Sequence, residues 1–329
     1  MSRESSVSPV AYVFPGQGAQ KVGMGRDLWE EFSWARERFR LAEELTGIPF
    51  AELVLRGPEA ALMETIVLQP ALFLVETLLS DVLRDLGAPP PAVVAGHSLG
   101  EYTALYAAGV FDFAQGIRLT HARGVAMAEA ARQNPGTMAA VVGLSPDLVE
   151  SVCREVSALG EDFGVEAANV NSPEQVVISG RAAGIEEAGR RLLALGARRV
   201  VSLRVAGPFH SSYMAPARKE LEAVLREIDL GEPTVPVLVN AWARPVRSAA
   251  EIREALLDQL VRPVRWVETV RALRDLGVET IVEVGPGNVL TGLVRKTDSG
   301  FSLYNVASWA EARAVADRLR SAGGVPEES

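Results

Sequence analysis

The densest chemical signal in the chain is Val93-Val94-Ala95-Gly96-His97-Ser98-Leu99-Gly100-Glu101-Tyr102. An apolar run that reads as a strand enters Gly-His-Ser-Leu-Gly, and a helix-forming stretch follows. This is the pattern of a nucleophile elbow, in which a serine sits on a sharp, strained strand-to-helix turn. Gly96 and Gly100 allow the strand and the helix to approach closely. The Ser98 hydroxyl is then held clear of the sheet, over a helix N-terminus whose free N–H groups favour a developing oxyanion. The N–H of Leu99, next after Ser98, is the expected donor. A glycine-rich turn that merely contains a serine would share these letters; the strand before it and the helix after it favour the catalytic reading.

A serine nucleophile needs a base, and the chain has three histidines. His97 adjoins Ser98, so its side chain should point away from the elbow and pack or hydrogen-bond behind it. His121 lies mid-helix in Leu119-Thr120-His121-Ala122, a structural or solvated setting. His210 follows the strand-like run Val200–Val205 in Gly207-Pro208-Phe209-His210-Ser211-Ser212, on the kind of loop where α/β proteins place catalytic side chains. By elimination His210 is the base. Spacing identifies no acidic partner to orient it, and a carbonyl is the open alternative. A second segment, Tyr12–Gln20, ends a strand in a turn with two glycines. It lacks the G-x-G-x-x-G spacing and the P-loop lysine. It reads either as a tight strand–helix turn or as a loop bringing backbone N–H groups to a substrate oxygen. Arg123 stands in an apolar helical context, Ile117–Met127, with few acidic neighbours before Glu129. A buried guanidinium needs an anion, and a planar carboxylate matches it through two hydrogen bonds. A distant structural acid is the competing partner.

The elements that must position these groups alternate. Strand-like runs are Ala11–Phe14, Ala92–Ala95, Met138–Val142, Val176–Ser179, Arg199–Val205, Val235–Val239 and Thr280–Val284. Helical stretches are Leu28–Thr46, Ala71–Leu86, Tyr102–Ala108, Asp112–Ala131, Pro146–Ser157 and Ala183–Leu195. Such alternation argues for an α/β fold with a mainly parallel sheet. Gln133–Gly136 reads as a linker, and the βαβαβ-like stretch after it is compact enough for a small inserted α+β unit. The length of 329 residues suits about two domains, or one with an insertion. The net charge of −9 disfavours a nucleic-acid binder, which is usually basic. The lone Cys153 can form no internal disulfide and no cysteine zinc cluster. Met1–Pro9 has no apolar signal core. No stretch reads as the ~20 apolar residues of a membrane span. The expectation is a protein of the reduced cytoplasm without a membrane or nucleic-acid partner.

Taken together, these segments resemble the malonyl-CoA:acyl-carrier-protein transacylases of fatty acid and polyketide synthesis. The likeness runs from Phe14-Pro15-Gly16-Gln17-Gly18 to Glu283-Val284-Gly285-Pro286-Gly287. In between come Gln69-Pro70-Ala71, the Ser98 elbow, Arg123-Gly124, Asn171-Ser172-Pro173, Pro208-Phe209-His210-Ser211 and Pro263-Val264-Arg265-Trp266. The resemblance implies that Ser98 carries the acyl group and His210 is its base. It implies that the Gln17 and Leu99 N–H groups form the oxyanion hole, and that the Gln259 main-chain carbonyl orients the histidine. Arg123, supported by Gln69, should pair with the malonate carboxylate. Phe209, His97 and Asn171 should line the acyl pocket, with Phe209 crowding a 2-methyl branch. Malonyl-CoA and holo-acyl carrier protein are the implied partners, no metal or cofactor is implied beyond the CoA thioester substrate, and the family is usually monomeric. Arg204, Arg295 and Lys296 are candidates for docking an acidic carrier. An acyl hydrolase of the same fold and a discrete acyltransferase serving a polyketide synthase are the rival readings. The implied fold is an α/β-hydrolase-like large subdomain, residues 8–136 and 205–318, with an inserted ferredoxin-like small subdomain, 137–204, in front of a frayed tail, 319–329.

Overall fold

Ten strands form two sheets in the computed structural model, which describes residues 9–322. The strands are β1 (Val10–Phe14), β2 (Val93–Gly96), β3 (Thr137–Val142), β4 (Val165–Ser172), β5 (Gln175–Gly180), β6 (Arg199–Ser202), β7 (Val237–Val239), β8 (Arg244–Val246), β9 (Thr280–Val284) and β10 (Ser302–Val306). The larger sheet has the order β10-β9-β1-β2-β7-β8 and is parallel throughout except for the β7–β8 edge pair. The smaller sheet, order β4-β5-β3-β6, is antiparallel and drawn wholly from residues 137–202.

Period-two alternation sends the two faces of each sheet to different cores. Ala11, Val13, Val93 and Ala95 pack with Trp266, Val270, Leu290 and Val294. Val10, Tyr12, Phe14 and Val94 face the opposite core with Leu68, Leu72 and Val75. In the smaller sheet Ala139, Val141, Val176 and Ile178 bury against the helices Pro146–Ser157 and Ala182–Ala194. Its other face, with Met138 and Val177, joins the large core and lines a cleft between the sheets. The sheets are tied together where Val170 N–H donates to Val264 O at 2.9 Å and Val264 N–H donates to Ala168 O at 2.9 Å.

Several elements depart from their sequence expectations. The stretch 28–46 is two helices, Arg26–Glu31 and Ser33–Thr46, because Phe32 is extended between them and packs its ring on Trp34 and Trp309. The helix expected after Pro70 starts at Thr65 and contains that proline; packing on both sides outweighs one lost backbone bond. This helix, Thr65–Asp85, is long and apolar enough to cross a membrane by length and composition, but it is a buried core helix here. β4, β8 and β10 were not expected. The strand expected to reach Val205 stops at Ser202, which frees Leu203 and Val205 to line the cleft. Residues 319–322, expected to fray, belong to the helix Trp309–Ala322, with Leu319 buried. Ser8, expected to open the large subdomain, and 323–329, expected to fray, lie outside the described residues.

Candidate active site

The end of β2 turns into the helix Gly100–Ala107 through Ser98, whose φ of 52° lies in the left-handed region that a serine rarely adopts. The turn is possible because of two glycines. A Cβ on Gly96 would overlap the Gly100 backbone, and one on Gly100 would overlap the Phe14 carbonyl. The strained elbow therefore nests against the end of β1, beside the Pro15–Gln17 loop. His210 is also left-handed, with φ 56°. Such backbone strain persists only where the surroundings enforce it, and it concentrates at functional sites.

The two strained residues meet. Ser98 Oγ and His210 Nε2 are 2.8 Å apart, and His210 Nδ1 lies 2.8 Å from the Gln259 carbonyl oxygen. That carbonyl makes Nδ1 the protonated nitrogen, leaving Nε2 free to accept the serine proton. Burial is the main cause that pushes the His210 pKa down to about 3, with the Arg123 charge second and the Gln259 hydrogen bond opposing both. The imidazole is therefore neutral at physiological pH, the form a base requires. The N–H groups of Gln17 and Leu99 border the same cleft, and among the described residues neither donates to a protein acceptor. They are free to receive a substrate oxyanion.

Arg123, on the helix Phe113–Gln133, is only 1% exposed. Its Nη1 donates to Gln69 Oε1 at 2.7 Å, and its Nη2 donates to Gln259 Oε1 at 2.9 Å and to Ser98 Oγ at 3.1 Å. Among the described residues it makes no ion pair, and its Nε is buried without a partner. A guanidinium held by neutral amides beside a reactive hydroxyl is a site waiting for an anion. Opposite it, His97 Nε2 lies 2.8 Å from Asn171 Oδ1, and the His97 ring packs on Trp266. Phe209 is buried at the cleft wall. The cleft volume is about 140 Å³, close to that of a cavity able to admit one benzene-sized guest.

Every candidate site residue except Gln259 lines this cleft; Gln259 stands behind the histidine. His121 lies elsewhere on the Arg123 helix, half-buried. Arg204 sits between the cleft-lining Leu203 and Val205, whereas Arg295 and Lys296 do not line the cleft. Sequence reasoning missed Asn240. Its side chain accepts from Ser98 N–H at 2.7 Å and donates to Gly96 O at 2.6 Å. The only sequence signal was an isolated polar residue at the end of the apolar run Val235–Val239.

The arrangement is that of a serine–histidine α/β enzyme with a guanidinium buried in its cleft. The chain belongs to the acyl transferase family, whose model, described as acyl transferase domain, matches residues 11–320. The malonyl CoA-acyl carrier protein transacylase of Synechocystis sp. is 44% identical over 296 residues, covering 90% of this chain and 96% of that protein. The polyketide biosynthesis protein ThaF of Burkholderia thailandensis is 44% identical over 290 residues, but the chain spans only 24% of its length. A solved structure described as a type II PKS acyl-carrier protein in complex with its malonyl-transacylase matches with a TM-score of 0.90 and 40% identity, over 94% of this chain and 100% of that one.

Proposed function

We propose that this protein moves a malonyl group from malonyl-CoA to the phosphopantetheine thiol of a holo-acyl carrier protein, for fatty acid biosynthesis, through a malonyl ester on Ser98. The observation that carries the reading is Arg123: a buried guanidinium 3.1 Å from Ser98 Oγ, with no ion pair among the described residues. In a malonyl thioester a single methylene separates the reacting carbonyl from the free carboxylate. The cation that reads that carboxylate must therefore stand beside the nucleophile. A hydrolase of simple acyl chains has no use for such a charge.

In this reading His210 Nε2 takes the Ser98 proton as Oγ attacks the thioester carbon. The Gln17 and Leu99 N–H groups hold the oxyanion. The carbon–sulfur bond breaks, the CoA thiolate takes the proton from His210, and a malonyl-serine ester remains. The carrier thiol then gives its proton to His210, attacks the ester, and leaves as the malonyl thioester while Ser98 regains its proton. The atoms balance with no further group. Arg204, exposed beside the cleft, is the basic residue best placed to meet an acidic carrier. Residues 137–204 act as the small subdomain that closes one side of the cleft. The test is transfer from malonyl-CoA to holo- and apo-carrier. Thiol-dependent malonyl-carrier formation is expected; equal release of free malonate without any carrier would overturn the proposal in favour of a hydrolase.

Two further results are expected. Because the His210 pKa is lowered to about 3, the base stays unprotonated well below the ordinary histidine range. The kcat/KM for acylation should then stay flat from about pH 8 to about pH 5, since this parameter reports the free enzyme. A fall centred near the ordinary histidine pKa of about 6.5 would contradict it. The buried Phe209 ring should make methylmalonyl-CoA the poorer substrate, by about 10- to 200-fold for one added methyl. Phe209→Ala should narrow that ratio in competition assays, and an unchanged ratio would remove Phe209 from selection.

A further inference from the structure

Ser98 can serve as proposed above only if its turn is held in the left-handed conformation; within the motif the Gly100 N–H closes the turn on His97 O at 3.0 Å, but the serine's own N–H is held from outside it. The Ser98 N–H has left the β2 ladder and points toward β7. There Asn240, fully buried and one residue past β7, meets it: Oδ1 accepts the Ser98 N–H at 2.7 Å. The same amide donates from Nδ2 to Gly96 O at 2.6 Å. One side chain thus spans His97 and joins the last carbonyl of β2 to the N–H of the serine.

Asn240 is itself anchored. β7 runs parallel to β2, with Val94 opposite Val237 and Ala95 opposite Leu238. The Asn240 N–H donates to Glu101 Oε2 at 2.6 Å, and its carbonyl accepts from Arg265 N–H at 3.1 Å. The clamp therefore closes on the elbow motif from both ends, through Gly96 before the serine and Glu101 after it.

We propose that Asn240 is a positioning residue for the Ser98 nucleophile, fixing the elbow by bridging the Gly96 carbonyl and the Ser98 N–H. This inference rests on the malonyl-serine reading. Two consequences follow from the bond pattern. With the Ser98 N–H committed to Asn240, the elbow's free donor is the next one, Leu99 N–H, at the mouth of the cleft. The bridge also needs one acceptor and one donor on the same planar group. Among side chains of this size, only asparagine and a protonated aspartic acid supply both.

Asn240→Asp keeps the shape and the acceptor. It donates to Gly96 O only when protonated, a form that burial favours; Glu101, on the adjoining backbone N–H and itself pushed up to about 7 by burial, titrates in the same range in the wild type too. Arg123 and His210 are the other charged or titratable groups across Ser98, and the wild type shares them. The measurement is therefore the single-turnover rate of malonyl-enzyme formation by intact mass, as a ratio to the wild type at each pH. Asn240→Ala should be slowed by about 10²-fold at every pH, the scale of a misplaced reacting group, with KM for malonyl-CoA nearly unchanged. Asn240→Asp should be similarly slow at pH 8 and should recover several-fold by about pH 5.5 as the carboxyl takes up the donor proton. Wild-type rates in both variants, or an Asn240→Asp deficit that does not change with pH, would overturn the inference. Failure of the wild type itself to form the adduct would instead overturn the malonyl-serine reading.

Discussion

Replacing Ser98 by alanine should abolish the covalent acyl-enzyme and lower carrier malonylation by about 10⁴-fold or more, while malonyl-CoA still binds. Nothing else in the cleft can take over the attack. The other groups within reach of Ser98 Oγ are the His210 imidazole and the Arg123 guanidinium, at 2.8 and 3.1 Å. His210→Ala should cost a comparable factor. The double variant should be little worse than either single one, because residues acting as a unit are strongly non-additive. Steady-state transfer assays on the three variants check this. Independent, multiplying losses would mean that Ser98 and His210 do not share one step.

Arg123→Ala should have the second largest effect, and it should depend on the substrate. Removing one partner of a buried charge pair costs about 3–5 kcal/mol, or about 10²- to 4 × 10³-fold in kcat/KM for malonyl-CoA. Acetyl-CoA brings no carboxylate. In the wild type it leaves the guanidinium buried and unpaired, an arrangement that itself disfavours the complex. Removing the charge relieves that penalty, so the malonyl-to-acetyl preference should collapse even if both rates change. The ratio is the right readout because Arg123 also touches Gln259, whose carbonyl holds His210. A disturbed histidine would slow both substrates alike and leave the ratio intact. Arg123→Lys should fall between, keeping the charge but losing the planar fork.

The legible part of the site was the part carried by side chains in local order. The elbow reads directly because strand, Gly-His-Ser-Leu-Gly and helix are contiguous. His210 emerges because only three histidines compete. Gln259 holds His210 through a peptide carbonyl, and a backbone group has no letter of its own; only the family resemblance pointed to it. Asn240 acts across 142 residues of sequence, and its partners are backbone atoms, so no spacing could reveal it. The fold shows the same division. β1 and β2 are buried on both faces and read as unbroken apolar runs. β4 was missed because Val165-Glu-Ala-Ala-Asn-Val-Asn-Ser is poor in β-branched residues, and its pairing with β5 decides the outcome. The break at Phe32 and the helix running through Pro70 are likewise tertiary choices, made by aromatic packing and by burial.

Intact-protein mass spectrometry tests the central claim most directly. The protein is incubated briefly with malonyl-CoA, acetyl-CoA or methylmalonyl-CoA in separate tubes. The expected result is an adduct of one malonyl group, on Ser98, from malonyl-CoA alone, absent from the Ser98→Ala variant. An adduct of equal extent from acetyl-CoA would contradict the account, because it would mean that Arg123 reads no carboxylate.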